Sequence, residues 1–184
     1  MFLTQDNPLA FPLPQNYNPL QYEVLARLFD AGVNPSLRFS KDTNNHHLFC
    51  GAFFIDYVGG ADAWPEADYA TREQIFQEHV DYQKGVMWFL QNDPRIPTEY
   101  HDVFQTWGLP SDEYLATGGW THELYVREGR RMVSDYVTTE EDCRRIRVAE
   151  DSVALGSYNM DSHNCSRYVT KAGFVQNEGD IQIS

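Results

Sequence analysis

The chain has 184 residues, 42% hydrophobic and 22% charged, and 27 acidic against 14 basic side chains leave a formal net charge of −13. A chain of this size can bury roughly two-thirds of its unfolded surface, which argues against disorder. The acidity (pI about 4.7) argues against nucleic acid or an anionic membrane surface as partner, because both demand cationic patches.

Cys50, Cys143 and Cys165 are odd in number and far apart, so neither a disulfide framework nor a structural zinc site is expected. No stretch approaches the apolar length of a membrane span, and no basic region followed by an apolar run marks the N-terminus. The compartment stays unassigned. The sequon Asn164-Cys165-Ser166 is short enough to arise by chance.

Residues 1–18 carry Pro8, Pro12 and Pro14 around Phe11 and Leu13, the composition of an extended arm. Asn18-Pro19-Leu20-Gln21 joins an N-cap residue to a proline at the first helical position, and Leu20, Val24, Leu25, Leu28 and Phe29 repeat with helical period up to Gly32. A helix over about 19–31 follows. Between Leu37 and Val58 the pattern suggests two strands joined by the polar run Lys41 to His47. The capping pattern Thr71-Arg72-Glu73-Gln74 and an apolar stripe of Ile75, Phe76, Val80, Met87 and Leu90 predict one long amphipathic helix near 70–92, ended by Asp93-Pro94. A third helix is expected over Thr98 to Trp107. Leu124 to Val137 mixes periods and favours strand. Thr139 to Asp142 should start a short acidic helix, and Tyr168 to Ile183 should form a hairpin around Asn177-Glu178-Gly179-Asp180. The fold class is α+β: a mixed sheet with several helices.

Three constellations can carry chemistry. The loop Asp42-Thr43-Asn44-Asn45-His46 offers fixed amide donors and acceptors beside an imidazole that exchanges a proton near neutral pH; the same residues also suit a turn bonded to its own backbone. In Asn159-Met160-Asp161-Ser162-His163-Asn164, an extended backbone would place Asp161 and His163 on one face, a carboxylate-oriented imidazole, or His163 is a hydrogen-bonded loop residue. Arg127, Arg130, Arg131, Arg144, Arg145 and Arg147 lie among Glu128, Asp135, Glu140, Glu141 and Asp142. They either form ion pairs or leave Arg127 or Arg131 facing an anionic group. The six histidines show no metal-ligand spacing, and no Gly-x-Gly-x-x-Gly or Walker turn is present. Trp64, Trp88, Trp107 and Trp120 suit either a sugar-stacking surface or a core.

Several runs together resemble the bacterial FAD-dependent oxidoreductase family, whose members are often without an assigned substrate: Phe11 to Pro14 with Asn18 to Glu23, Asp42 to His46, Trp64 to Arg72, Gly85 to Leu90, Leu124 to Glu128 with Arg130 to Val137, and Tyr158 to Asn164. The resemblance covers nearly the whole chain. It implies FAD as cofactor and a small-molecule substrate. That family begins with a Rossmann-type strand, Gly-rich turn and helix that hold the FAD pyrophosphate, and this pattern does not occur here. The expectation is one domain, residues 1–184, forming the interior, substrate-side part of a longer enzyme, partnered by the rest of the FAD-binding domain and inactive alone. The resemblance assigns no catalytic residue. From side-chain chemistry, His46, His163 and Asp161 are the catalytic candidates, Asp42, Asn44 and Asn45 the substrate-binding ones, and Arg127 and Arg131 the cofactor-binding ones. Phe11 to Leu13 and the long helix's stripe are expected to pack on the flavin domain. The competing expectation is a free-standing, non-catalytic ligand- or carbohydrate-binding module with exposed tryptophans.

Overall fold

The computed structural model describes residues 3–32, 56–126, 129–130, 132–156, 160–161, 164–179 and 182–183, with backbone alone at 160–161 and 182–183. The strands expected between Leu37 and Val58 fall almost wholly outside these residues. Helices and two small antiparallel sheets make the chain α+β. It divides into two compact units, Met1–Arg127 and Glu128–Ser184.

In the first unit the Asn18 side chain accepts a hydrogen bond from the Leu20 amide at 3.0 Å, and Pro19 takes the first position, where no amide hydrogen is needed. The result is a 3-10 turn, Pro19–Tyr22, that runs into helix α1, Glu23–Asp30. Leu25, Ala26 and Phe29 on α1 are buried, and Gly32, at φ +67°, follows the helix end.

Helix α2, Tyr69–Asn92, is the longest element. Its cap is Asp68, three residues before the Thr71 of the capping pattern: the Asp68 Oδ1 accepts from the Thr71 amide at 2.8 Å. Arg72 then reaches back, donating from Nε to the Trp64 carbonyl (3.0 Å) and from Nη2 to the Pro65 carbonyl (3.1 Å), with its guanidinium over the Trp64 ring. The first turn of α2 is exposed. Burial starts at Ile75 and widens toward the C-terminus, where Gly85, Val86, Met87, Phe89 and Leu90 are all covered. The helix is therefore not one even stripe: its last turns are wrapped by the Pro19–Tyr22 turn and by helix α3, Thr98–Phe104.

Gly85 sits at the closest of these contacts. A Cβ there would overlap the Tyr22 hydroxyl and lie 2.9 Å from Tyr22 Cζ. That hydroxyl is itself fixed, donating to the Tyr82 carbonyl at 3.1 Å. α3 ends at Phe104, short of Trp107, and Gln91 of α2 secures its exit: Nε2 donates to the Phe104 carbonyl (2.8 Å) and to the Trp107 carbonyl (3.0 Å).

The proline-rich arm docks on this unit. Thr4 pairs with Gly108 and Leu9 with Leu109 as isolated antiparallel bridges, through amide-to-carbonyl distances of 2.9–3.0 Å. Phe11 is 3% exposed and belongs to the unit's own core with Leu3, Tyr22, Phe89, Phe104 and Leu109, whereas Leu13 is 56% exposed. Of the apolar pair expected to need another domain, Phe11 is thus already covered.

The second unit is built on turns and short ladders. Thr139 precedes helix α4, Glu140–Cys143, with the Asp142 carboxylate accepting from the Thr139 amide at 2.7 Å. Strands β1, Met160–Asp161, and β4, Gln182–Ile183, pair antiparallel, as do β2, Ser166–Val169, and β3, Val175–Glu178. The β2–β3 turn corrects the expected hairpin. It spans Thr170 to Phe174, with Gly173 at φ +85°, and Asn177 lies within β3 opposite Arg167. Gly173, which the sequence reading did not single out, supplies the turn, and cross-strand register selects it. The strand expected over Leu124 to Val137 does not form among the described residues. Ser134 donates to the Tyr136 carbonyl (2.9 Å) and accepts from the Tyr136 amide (3.3 Å), a local bond that competes with a ladder.

Candidate functional site

Asp42, Asn44, Asn45, His46, Arg127, Arg131 and His163 lie outside the described residues. Asp161 is described by its backbone, opposite Gln182 in the β1–β4 pair. Beside that run, Asn164 is 8% exposed and its Oδ1 has no hydrogen-bond partner. Of the arginine cluster, Arg144 pairs with Glu140 at 2.7 Å and Arg147 with Asp142 at 2.6 Å. These two serve as ion-pair partners.

Buried polar chemistry in the first unit centres on α2. His79 is 8% exposed, and its Nδ1–H donates to the Ile75 carbonyl at 2.8 Å, since a carbonyl can only accept. Tyr57 meets it edge-on, then stacks on Tyr82; Tyr82 neighbours Tyr22, which stacks on Tyr17, in a continuous aromatic row. Burial pushes the Tyr22 phenol well above its ordinary range, and the neighbouring Tyr82, Tyr17 and Asp81 push the same way. Lys84 lies with Nζ 5.0 Å from the centre of the Trp120 ring, and burial lowers its ammonium group below the usual lysine value.

The tryptophans divide by role. Trp107 and Trp120 are core residues, and Trp64 lies under Arg72. Trp88 is half-buried and lines a groove of about 350 Å³ with Pro8, Leu9, Ala10, Phe11, Gln91, Asn92, Gln105 and Trp107. Neither the groove nor the side-chain capping by Gln91 was visible in sequence, where a lone glutamine carries no signal.

The family model described as FAD dependent oxidoreductase matches residues 2–184. The chain belongs to the FAD dependent oxidoreductase family. No curated protein and no solved structure matches it. A pyrophosphate needs free amides or cations, and among the described residues neither α1 nor α2 offers a bare N-terminus for one. α2 is closed at its N-terminus by the Asp68 carboxylate, and Glu23 occupies the first turn of α1. Some of the runs that carry the family resemblance do structural work among the described residues: Trp64, Pro65, Asp68 and Arg72 anchor the start of α2, and Tyr22 meets Gly85.

In the second unit, Asp142 gathers the loop that precedes α4. Arg147 grips it with Nε at 3.0 Å and Nη2 at 2.6 Å, the Tyr136 hydroxyl donates to it, and Arg147 also lies over the Tyr136 ring and donates to the Val137 carbonyl at 2.8 Å. The Arg147 guanidinium first, then the Tyr136 hydroxyl and the Thr139 amide, hold the Asp142 carboxyl far below the usual carboxylate range. A depressed folded-state value stabilises the fold fully above the unfolded value of about 3.9 and loses that contribution as pH falls through the folded value. The clamp is therefore expected to be intact at neutral pH and to weaken only in strong acid. Asp142→Asn removes it at every pH, and hydrogen exchange at the 139–147 amides should rise markedly at neutral pH. Unchanged exchange in that variant would refute the clamp.

Proposed function

We propose that this chain forms the substrate-side portion of an FAD-dependent oxidoreductase acting on a small organic substrate. The family match over residues 2–184 carries this reading. FAD, when bound, supplies the redox chemistry, and the protein must position the substrate and handle a proton. In this reading Asp42, Asn44 and Asn45 orient the substrate. His46 and His163, the latter beside Asp161, exchange the proton, and Arg127 or Arg131 faces an anionic group of the cofactor.

The partner of this portion is the part of the enzyme that holds the FAD pyrophosphate. The surface of the second unit supports the pairing. Val133, Val153 and Leu155 are fully exposed, and Met132, Ile146 and Val148 are more than two-thirds exposed, apolar side chains that a partner would cover.

The test is to purify the product of the complete reading frame and record its visible spectrum. The expected result is the two absorption bands of oxidised flavin. His46→Ala and His163→Ala should retain flavin and slow its bleaching by substrate about 100-fold, the usual scale of a lost acid–base group. A folded, colourless product overturns the flavin reading. Stoichiometric FAD on the 184 residues alone would overturn the substrate-side assignment. A non-catalytic ligand-binding module is the second reading, favoured by the groove beside Trp88.

A further inference from the structure

The groove between the arm and the C-terminal ends of α2 and α3 has a chemistry that does not depend on flavin. Its volume of about 350 Å³ falls within the range of small-molecule sites. Pro8 to Phe11 form one wall, Trp88, Gln91 and Asn92 a second, and Gln105 and Trp107 a third. Among the described residues no charged side chain lines it, in a chain whose net charge is −13. An ionic ligand would meet no counter-charge here.

The polar lining is three amides, and each is held by its nitrogen. Gln91 Nε2 donates to the carbonyls of Phe104 and Trp107 at 2.8 and 3.0 Å. Asn92 Nδ2 donates to the Trp88 carbonyl at 2.9 Å, and Gln105 Nε2 to the Gln91 carbonyl at 3.5 Å. Because backbone carbonyls only accept, these bonds fix which end of each amide is nitrogen. Among the described residues, no protein donor reaches the side-chain oxygens of Gln91, Asn92 and Gln105. The groove thus combines three preset acceptors with the flat apolar face of a half-buried indole.

We propose that this groove binds a neutral pyranose. Ring hydroxyls replace water as donors to the amide oxygens, and the ring's C–H face covers Trp88, the division of polar edge and apolar face that aromatic sites exploit. The proposal goes beyond the flavin reading and stands or falls separately, since its test reads neither absorbance nor turnover.

The full chain would be titrated with methyl glucopyranoside, methyl galactopyranoside and methyl xylopyranoside, followed by tryptophan fluorescence and saturation-transfer NMR. At least one should bind saturably with Kd of about 1 mM. Trp88→Leu should weaken it about tenfold, the scale of one aromatic contact. Gln105→Leu should weaken it about fivefold, the scale of one hydrogen bond, without moving the unfolding midpoint. Gln105 is exposed, so that variant decides the matter if Trp88→Leu fails to fold. Three results would overturn the proposal: no saturable binding of any pyranoside below about 50 mM, equal affinity in Gln105→Leu, or stronger binding of cationic glucosamine than of the neutral sugars.

Discussion

Gly85→Ala is expected to destabilise the first unit by about 3 kcal/mol, at the upper end of what overpacking a close contact costs. Helix propensity alone predicts the opposite sign, since alanine exceeds glycine by about 1 kcal/mol inside a helix. Packing wins because the methyl group would enter space held by the Tyr22 hydroxyl, a group bonded to the Tyr82 carbonyl and 1% exposed. Neither partner has free volume to move into: Tyr22 packs against Tyr17, Tyr82 and Phe89. Tyr22→Phe alone should cost about 1 kcal/mol for the lost hydrogen bond. In the double variant the overlap with the hydroxyl is gone and the 2.9 Å approach to Cζ remains, so the combined loss should fall short of the sum of the singles. Urea unfolding of the four proteins measures this coupling directly. Strict additivity, or a stabilised Gly85→Ala, would refute the contact.

Local signals were legible where short-range physics decides them. Asn18-Pro19 and Asp93-Pro94 bracket helices because a cap and a missing amide hydrogen act within one turn, and the Thr139 to Asp142 pattern becomes α4 for the same reason. Features set by distant partners were not legible. Gly173 and Gly179 both have positive φ, yet only pairing between Ser166–Val169 and Val175–Glu178 selects the first as the hairpin turn. Leu124 to Val137 has strand residues but no ladder among the described residues. The groove depends on Gln91 and Gln105, whose roles arise only once α2 and the α3 exit are adjacent. Of the proposed catalytic and binding residues only Asp161 is described, through its backbone, and its neighbour Asn164 shows how the environment can matter, with a buried oxygen that no residue type alone would disclose.

Phe11→Ala is expected to cost about 3 kcal/mol, the loss that accompanies deletion of a buried ring when the site cannot collapse. The anchor of the proline-rich arm is the core of the first unit: Phe11 is 3% exposed, and Leu9 exchanges both backbone hydrogen bonds with Leu109. Gly108 makes this approach possible. A Cβ there would strike the Leu9 carbonyl oxygen and come 2.7 Å from Pro8 Cβ, and backbone cannot rotate aside as a side chain can. Gly108→Ala should therefore release the arm even though Phe11 is intact, and both variants should show faster hydrogen exchange at the Thr4 and Leu9 amides. Because Pro8 to Phe11 form one wall of the groove, either change should also abolish pyranoside binding. Protected Leu9 amides and an unchanged unfolding midpoint in Phe11→Ala would mean that the arm contributes nothing to the unit. Loss of exchange protection with sugar binding retained would instead move the ligand onto Trp88 and the α2 amides alone.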